Sequence, residues 1–140
     1  MRDRFVGTWS MQRDVADALA GAEGVVDGVA RTESLPDGGL AWVEEGTLTM
    51  GERSMPARRR LILRAGDDAV DVEFADGRPF FRLDPVDDTW SATHGCGADT
   101  YTVTGRFVGP DCFEETWHAV GPAKDYRLTT TYRRQGDASA

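Results

Sequence analysis

The chain has 140 residues, a formal net charge of −8 at pH 7 and a pI near 4.7, with 40% hydrophobic and 29% charged residues. That length suits one folded domain with one core, and the composition is far from that of a disordered chain. The acidity argues against nucleic acid or an anionic membrane as a partner, because both would repel the surface.

Strand-like alternation recurs with turn signals roughly every eight to fifteen residues, the pattern of an antiparallel meander rather than of strands joined by crossover helices. Strands are predicted near Arg4 to Asp14, Val25 to Ser34, Leu40 to Met50, Pro56 to Arg64, Ala69 to Phe74, Pro79 to Asp84, Thr100 to Val108, Phe113 to Val120 and Tyr126 to Arg134. Turns fall at Pro36-Asp37-Gly38-Gly39, Gly66-Asp67-Asp68, Asp76-Gly77-Arg78 and Gly109-Pro110-Asp111. The alanine-rich segment Val15 to Ala22 has high helix propensity, with Gly21 suited to cap it, so one short helix or lid is expected there. Residues 1–135 read as a single barrel domain and 136–140 as a disordered tail.

Alternation sorts side chains by face. Placing Val70, Val72 and Phe74 inward puts Leu40, Trp42, Glu44, Gly46 and Leu48 on the same face. Tyr101, Val103, Gly105 and Phe107 join them, with Trp117, Ala119, Tyr126, Leu128, Thr130 and Tyr132. This inner set is apolar with a few polar members: Glu44, Arg59, Asp99, Tyr101, Tyr126 and Tyr132. Alternation alone also fits an open sandwich; closure is expected because Gly7-x-Trp9 and a late arginine, Arg134 or Arg133 according to register, can stack where first and last strands meet. A closed barrel of this size is filled by side chains or holds one small ligand, and glycines at Gly46 and Gly105 are expected to leave space.

Five motifs span almost the whole chain. They are Phe5-x-Gly7-x-Trp9-x-x-x-Arg13, Gly39-Leu40-x-x-x-Glu44-x-Gly46-x-Leu48, Phe74-x-Asp76-Gly77-Arg78-x-Phe80, His94-x-Cys96-x-x-Asp99-x-Tyr101 and Trp117-x-x-x-Gly121-Pro122-x-Lys124-Asp125-Tyr126. Together they resemble a family of small proteins known as domain of unknown function 6314. In outline that family resembles calycin-type barrels, the lipocalins and fatty-acid-binding proteins. The resemblance implies an all-β, antiparallel up-and-down calycin-like barrel and supplies no reaction or substrate. One departure is Phe81, which stands where the family's pattern has a histidine.

The polar members divide into anchors and chemistry. Glu44 and Arg59, inward on neighbouring strands, are expected to pair, leaving Arg59 either structural or able to hold a ligand's carboxylate or phosphate. Asp99 and Tyr101 share a face with Tyr126, and such a group can either anchor a ligand or transfer protons, so these two are the catalytic candidates if the protein is an enzyme. Lys124 and Asp125 are adjacent in an extended chain, so only one faces the cup; they read as turn-stabilising, with Lys124 a candidate contact. His94 and Trp117 complete the ligand-binding set of Glu44, Arg59, His94, Asp99, Tyr101, Trp117, Lys124 and Tyr126.

The loop His94-Gly95-Cys96-Gly97-Ala98-Asp99, with His118 or Cys112 as further ligands, matches no standard zinc spacing, so neither metal nor cofactor is expected. Cys96 and Cys112 are expected to be free thiols of a cytoplasmic protein, with no signal sequence or membrane span. The arginines at 58–60 and 133–134 read as solvated strand ends. The expected role is binding of a small, largely apolar molecule with a polar or acidic end, by a monomer or homodimer. The alternatives are an isomerase, cyclase or dehydratase acting in the same cavity, or a protein-interaction module built on the Arg58 to Arg60 strand.

Overall fold

A computed structural model describes residues 2–66 and 68–136. A 3-10 turn over Arg2–Phe5 is followed by ten strands: β1 (Thr8–Asp17), β2 (Ala22–Ser34), β3 (Leu40–Met50), β4 (Arg53–Ala65), β5 (Val70–Phe74), β6 (Pro79–Leu83), β7 (Thr89–Cys96), β8 (Asp99–Phe107), β9 (Cys112–Gly121) and β10 (Lys124–Arg134). All ladders are antiparallel, in the order β6-β5-β4-β3-β2-β1-β10-β9-β8-β7. First and last strands therefore pair directly, Trp9 opposite Arg134. The interruption lies in mid-chain, where β6 and β7 run close together without a ladder.

Arg134 fastens the closure. Its guanidinium carbon lies 4.2 Å from the Trp9 ring centroid, Nη1 and Nη2 donate to the carbonyls of Val6 and Arg4, and Nε donates to Asp111 at 3.0 Å. Gly7 stands beneath it with φ +131°, and a Cβ there would fall 2.7 Å from Arg134 Nη1, so glycine meets both the conformation and the space. The 3-10 turn then drives Phe5 into that end of the barrel, edge-on to Trp42, Trp90 and Phe113 at 5.2–6.1 Å and tilted against Phe107 at 5.3 Å. Trp9 Nε1 donates to the Phe5 carbonyl at 3.0 Å. This end is plugged by aromatic rings.

Three expectations change. The segment Val15 to Ala22 is not a helix: β1 continues to Asp17 and a turn leads into β2. Val15 is paired on both sides, to Gly24 and to Leu128, and Ala18 N–H donates to Asp125 at 2.8 Å. Two ladders outweigh an alanine-rich preference worth a few tenths of a kcal/mol per residue. Among the described residues the one short helical element is the 3-10 turn, which takes Arg4 and Phe5 out of the expected first strand.

Second, Thr89–Cys96 is a strand. The segment from His94 to Asp99, read as a loop, is the tip of the β7–β8 hairpin, with Cys96 opposite Asp99 and a two-residue turn whose first member, Gly97, has φ +62°. Third, the inward glycines leave no room. A Cβ on Gly105 would lie 2.3 Å from the Trp90 ring, which already fills that volume. One on Gly46 would strike the Asp27 carbonyl at 2.4 Å, because β2 and β3 approach closely there. Of the turn expected at Gly66-Asp67-Asp68, Asp67 lies outside the described residues, as do residues 137–140 of the expected tail.

The alternation itself holds. On β1, β3, β7, β8 and β10 the inward side chains are buried near the plugged end and half-exposed at the other: Trp9, Met11 and Arg13 before Val15, Trp42 and Glu44 before Leu48, Trp90 before His94, Phe107 and Val103 before Tyr101, Tyr132 and Thr130 before Leu128 and Tyr126. The barrel is thus a cup with a packed floor. Among the described residues, no helix is long and apolar enough to cross a membrane.

Candidate functional site

Two polar groups sit inside this cup. The deeper is built around Glu44, 1% exposed on β3, which the β3–β4 register sets directly opposite Arg59. Arg59 donates from Nε and Nη2 to the two carboxylate oxygens at 2.9 and 3.0 Å, the bidentate geometry that carboxylates favour. Arg13, reaching from β1, donates Nη2 to Glu44 Oε1 at 3.0 Å, Nη2 to the Tyr132 hydroxyl at 2.9 Å and Nε to Thr130 Oγ1 at 2.7 Å. The Tyr132 hydroxyl and Trp42 Nε1 both donate to Glu44 Oε2. Burial works to raise the Glu44 carboxyl, but the guanidinium charges of Arg59 and Arg13 prevail and hold it at about 2. Burial and the neighbouring Glu44 charge push the Tyr132 phenol up, so it remains a donor.

The expected Glu44–Arg59 pair is therefore present, with a third ion beside it. Two guanidinium groups share one carboxylate, so Glu44, Arg13 and Arg59 together carry a net positive charge, which Glu115 beside Arg59 offsets when ionised. Among the described residues, no acceptor lies on Nη1 of either arginine, and no fully buried side-chain nitrogen lacks a partner. Both Nη1 groups accordingly face accessible space. Arg13 went unassigned to the site in the sequence, although Trp9, Met11 and Arg13 share one alternation phase.

Arg59 also lies 5.1 Å from the Trp117 ring, and Trp117 Nε1 donates to Glu115 Oε1 at 2.7 Å. Glu115, two residues before Trp117 on β9, has the same inward phase and was not singled out in the sequence. Its other oxygen accepts from Trp90 Nε1 at 3.4 Å. Burial pushes the Glu115 carboxyl up, against the opposing charge of Arg59. A cavity of about 30 Å³ lies between Arg59, Glu115, Trp117, Tyr132 and the apolar residues around Phe81. Phe81 packs edge-on to Trp117 at 5.1 Å. It lines the interior beside Phe80 because a β-bulge at Val72/Glu73 leaves Phe80 without a partner and turns both rings in.

The second group lies at the mouth. Lys124 Nζ donates to Tyr101 Oη and to Asp99 Oδ2, both at 3.1 Å, and these two bonds push its ammonium up. Burial, with Tyr101 beside it, pushes the Tyr126 phenol up. Asp99 lies against the backbone of Gly121, where a Cβ would collide with it. His94 stacks edge-on over Phe80 at 5.2 Å and lies 6.0 Å from Phe74 and 6.5 Å from Tyr101. Asp125, adjacent to Lys124, points outward and meets His118 Nε2 at 2.9 Å. Asp99, Tyr101, Lys124 and Tyr126 thus come together near His94, while Glu44, Arg59 and Trp117 belong to the deeper group.

Among the described residues no group of three or more His, Cys, Asp or Glu side chains is placed to hold a metal ion, and Cys96 and Cys112 are free. A broad depression of about 500 Å³ on the outer face of β7 to β9 is lined by Thr104, Thr116 and the Arg106–Glu114 ion pair. Arg106 donates there to Glu114 at 3.1 Å.

A model of a family of unknown function, DUF6314, matches residues 5–134. The chain belongs to this family. Several solved structures share its fold. The S-type phycobiliprotein lyase CPES of Guillardia theta aligns with a TM-score of 0.73 at 11% identity, over 96% of this chain and 90% of that one. A DUF3598-family protein of unknown function from Nostoc punctiforme aligns with a TM-score of 0.66 at 10% identity, over 96% of this chain and 49% of that one. The EF1p2_mFAP2b protein, determined with DFHBI bound, aligns with a TM-score of 0.54 at 16% identity, over 96% of each chain. No curated protein matches. The DUF6314 chain is a calycin-like, lipocalin-type up-and-down barrel.

Proposed function

We propose that this DUF6314 protein binds a small molecule with an apolar body and an acidic end inside the cup. The observation that carries the reading is the surplus of donors at the floor: Arg13 and Arg59 share the carboxylate of Glu44, and among the described residues each keeps an unfilled Nη1. A ligand carboxylate would fill those donors, and a charge-assisted bond in a poorly hydrated site is among the stronger polar contacts. Val15, Leu48, Ala57, Phe74 and Leu128, half-exposed around the mouth, supply apolar surface for the body at about 25 cal/mol per Å² covered. Tyr101, Tyr126 and Lys124 at the rim orient it. Two fold neighbours named above, a phycobiliprotein lyase and a barrel determined with DFHBI, support a small-molecule partner.

The acid–base alternative rests on Asp99 and Tyr101. Lys124 sits on both, which makes Asp99 half of an ion pair and favours anchoring over proton transfer. The test is native mass spectrometry and thermal shift with dodecanoate, dodecan-1-ol and a panel of terpenoid and aromatic acids. The acid should bind at least tenfold more tightly than the alcohol, and Arg59→Met should abolish that preference. Absence of binding across the whole panel would refute the reading; binding with Asp99→Asn or Tyr101→Phe eliminating turnover of a bound compound would favour the enzyme.

A further inference from the structure

Among the described residues, Glu115 is a carboxyl with no cation bonded to it. Its hydrogen-bond donors are the indole N–H groups of Trp117 and Trp90, and both are neutral. It is 9% exposed and shares with Arg59 the walls of a cavity of about 30 Å³, room for about two water-sized atoms at roughly 10–15 Å³ each. The charged and titratable groups that surround it are Arg59 from β4, Glu44 from β3 and Tyr132 from β10, with Arg13 of β1 behind Glu44. Strand β7 contributes the Trp90 indole and β9 the Trp117 indole. Arg59 is the cation that supports a negative charge on Glu115, and the two indole N–H donors support it as well.

Resting on the reading above, we propose that Glu115 makes ligand binding proton-coupled: as a ligand carboxylate settles on Arg59, Glu115 takes one proton from solvent and donates it as a hydrogen bond toward the incoming anion. The balance is simple. Ligand carboxylate, ionised Glu115 and one proton give a bound carboxylate and a neutral Glu115; no other bond changes. The cause is electrostatic, because an anion on Arg59 cancels the positive charge that opposes protonation of Glu115 and adds a like charge across a water-poor cavity. Burial already pushes the Glu115 carboxyl up in the free protein, the direction in which the bound anion acts as well. The coupling makes the site take up acids more tightly as pH falls and release them as it rises.

The probe is dodecanoate, titrated calorimetrically from pH 5 to pH 9 in pairs of buffers with different ionisation heats. Wild-type protein should take up a fraction of a proton per ligand, approaching one at a single pH, with affinity falling up to tenfold per pH unit across that range. Glu115→Gln, which keeps a donor at any pH, should bind with no such uptake and with affinity nearly flat in pH, while dodecan-1-ol should bind wild type without uptake. In case that variant fails to fold, carbon-13 titration of wild-type Glu carboxyls should show one buried resonance whose midpoint rises when dodecanoate is added. Dodecanoate binding without proton uptake, or with equal uptake in Glu115→Gln, overturns the coupling and leaves the binding reading standing. Failure of dodecanoate and every other acid to bind removes both.

Discussion

Replacing Glu44 by Gln removes one negative charge from between two guanidinium groups and changes almost no volume. The carboxylate accepts from Arg13 Nη2, from Arg59 Nε and Nη2, from Trp42 Nε1 and from the Tyr132 hydroxyl. An amide offers one oxygen to these donors and turns an NH₂ toward the rest. Removing one partner of a buried ion pair costs about 3–5 kcal/mol, chiefly because the other charge is left buried and unbalanced. With roughly 2.1 cal/mol/K of unfolding entropy per residue over 140 residues, 4 kcal/mol corresponds to about 14 °C in Tm. The assay is urea and thermal unfolding followed by far-UV circular dichroism and tryptophan fluorescence. The triple variant Glu44→Gln, Arg13→Met, Arg59→Met should regain most of the loss, because it removes the stranded cations as well. A loss below about 1 kcal/mol for the single variant, or a triple variant no more stable than the single one, refutes the electrostatic account. The same cluster fixes the acid limb: Glu44 at about 2 in the fold, against an ordinary 4.5, contributes about 3 kcal/mol that is fully present above pH 4.5 and lost as pH falls toward 2.

Gly105→Ala should destabilise by about 1–3 kcal/mol in the same unfolding assay, because its Cβ would lie 2.3 Å from the Trp90 ring inside a filled core. Arg134→Met should cost about 1–2 kcal/mol and speed hydrogen exchange at Val6 and in the first residues of β1, since it removes carbonyl bonds and the Trp9 stack that tie the 3-10 turn down. In native-state exchange of the wild type, amides on the facing edges of β6 and β7 should exchange well before those of the β1–β10 ladder; equal protection would mean that the interruption is bridged in solution.

Much of this was readable from period-two alternation. The bounds of β3, Leu40 to Met50, follow from it without change, as does the inward phase of Glu44 and Arg59; the arginine that stacks on Trp9 stayed open between 133 and 134 until the β1–β10 register selected Arg134. What escaped did so for identifiable reasons. Val15 to Ala22 carries a helix-forming composition, and its strand pairing depends on residues about a hundred positions away, on β10, as well as on nearby β2. Thr89–Cys96 has small and polar residues on its outer face and glycine at its end, so its alternation rests on Trp90, Ala92 and His94 alone. Glu115 has the phase of Trp117, but a carboxylate between Phe113 and Trp117 gains meaning only when the partner indole from β7 is in place. The expected hollow at Gly105 failed because sequence shows the missing Cβ and not the ring that occupies its volume.

Because the break falls between consecutive strands and the two chain ends lie side by side, the order of strands around the wall is a circular permutation of a plain meander. Every ladder except β1–β10 joins neighbours in the chain, and that one ladder closes a loop of more than a hundred residues. Splicing the ends together and opening the chain at 84–88 would leave every pairing local, lowering the contact order and shifting the slow search from closure to hairpin zippering.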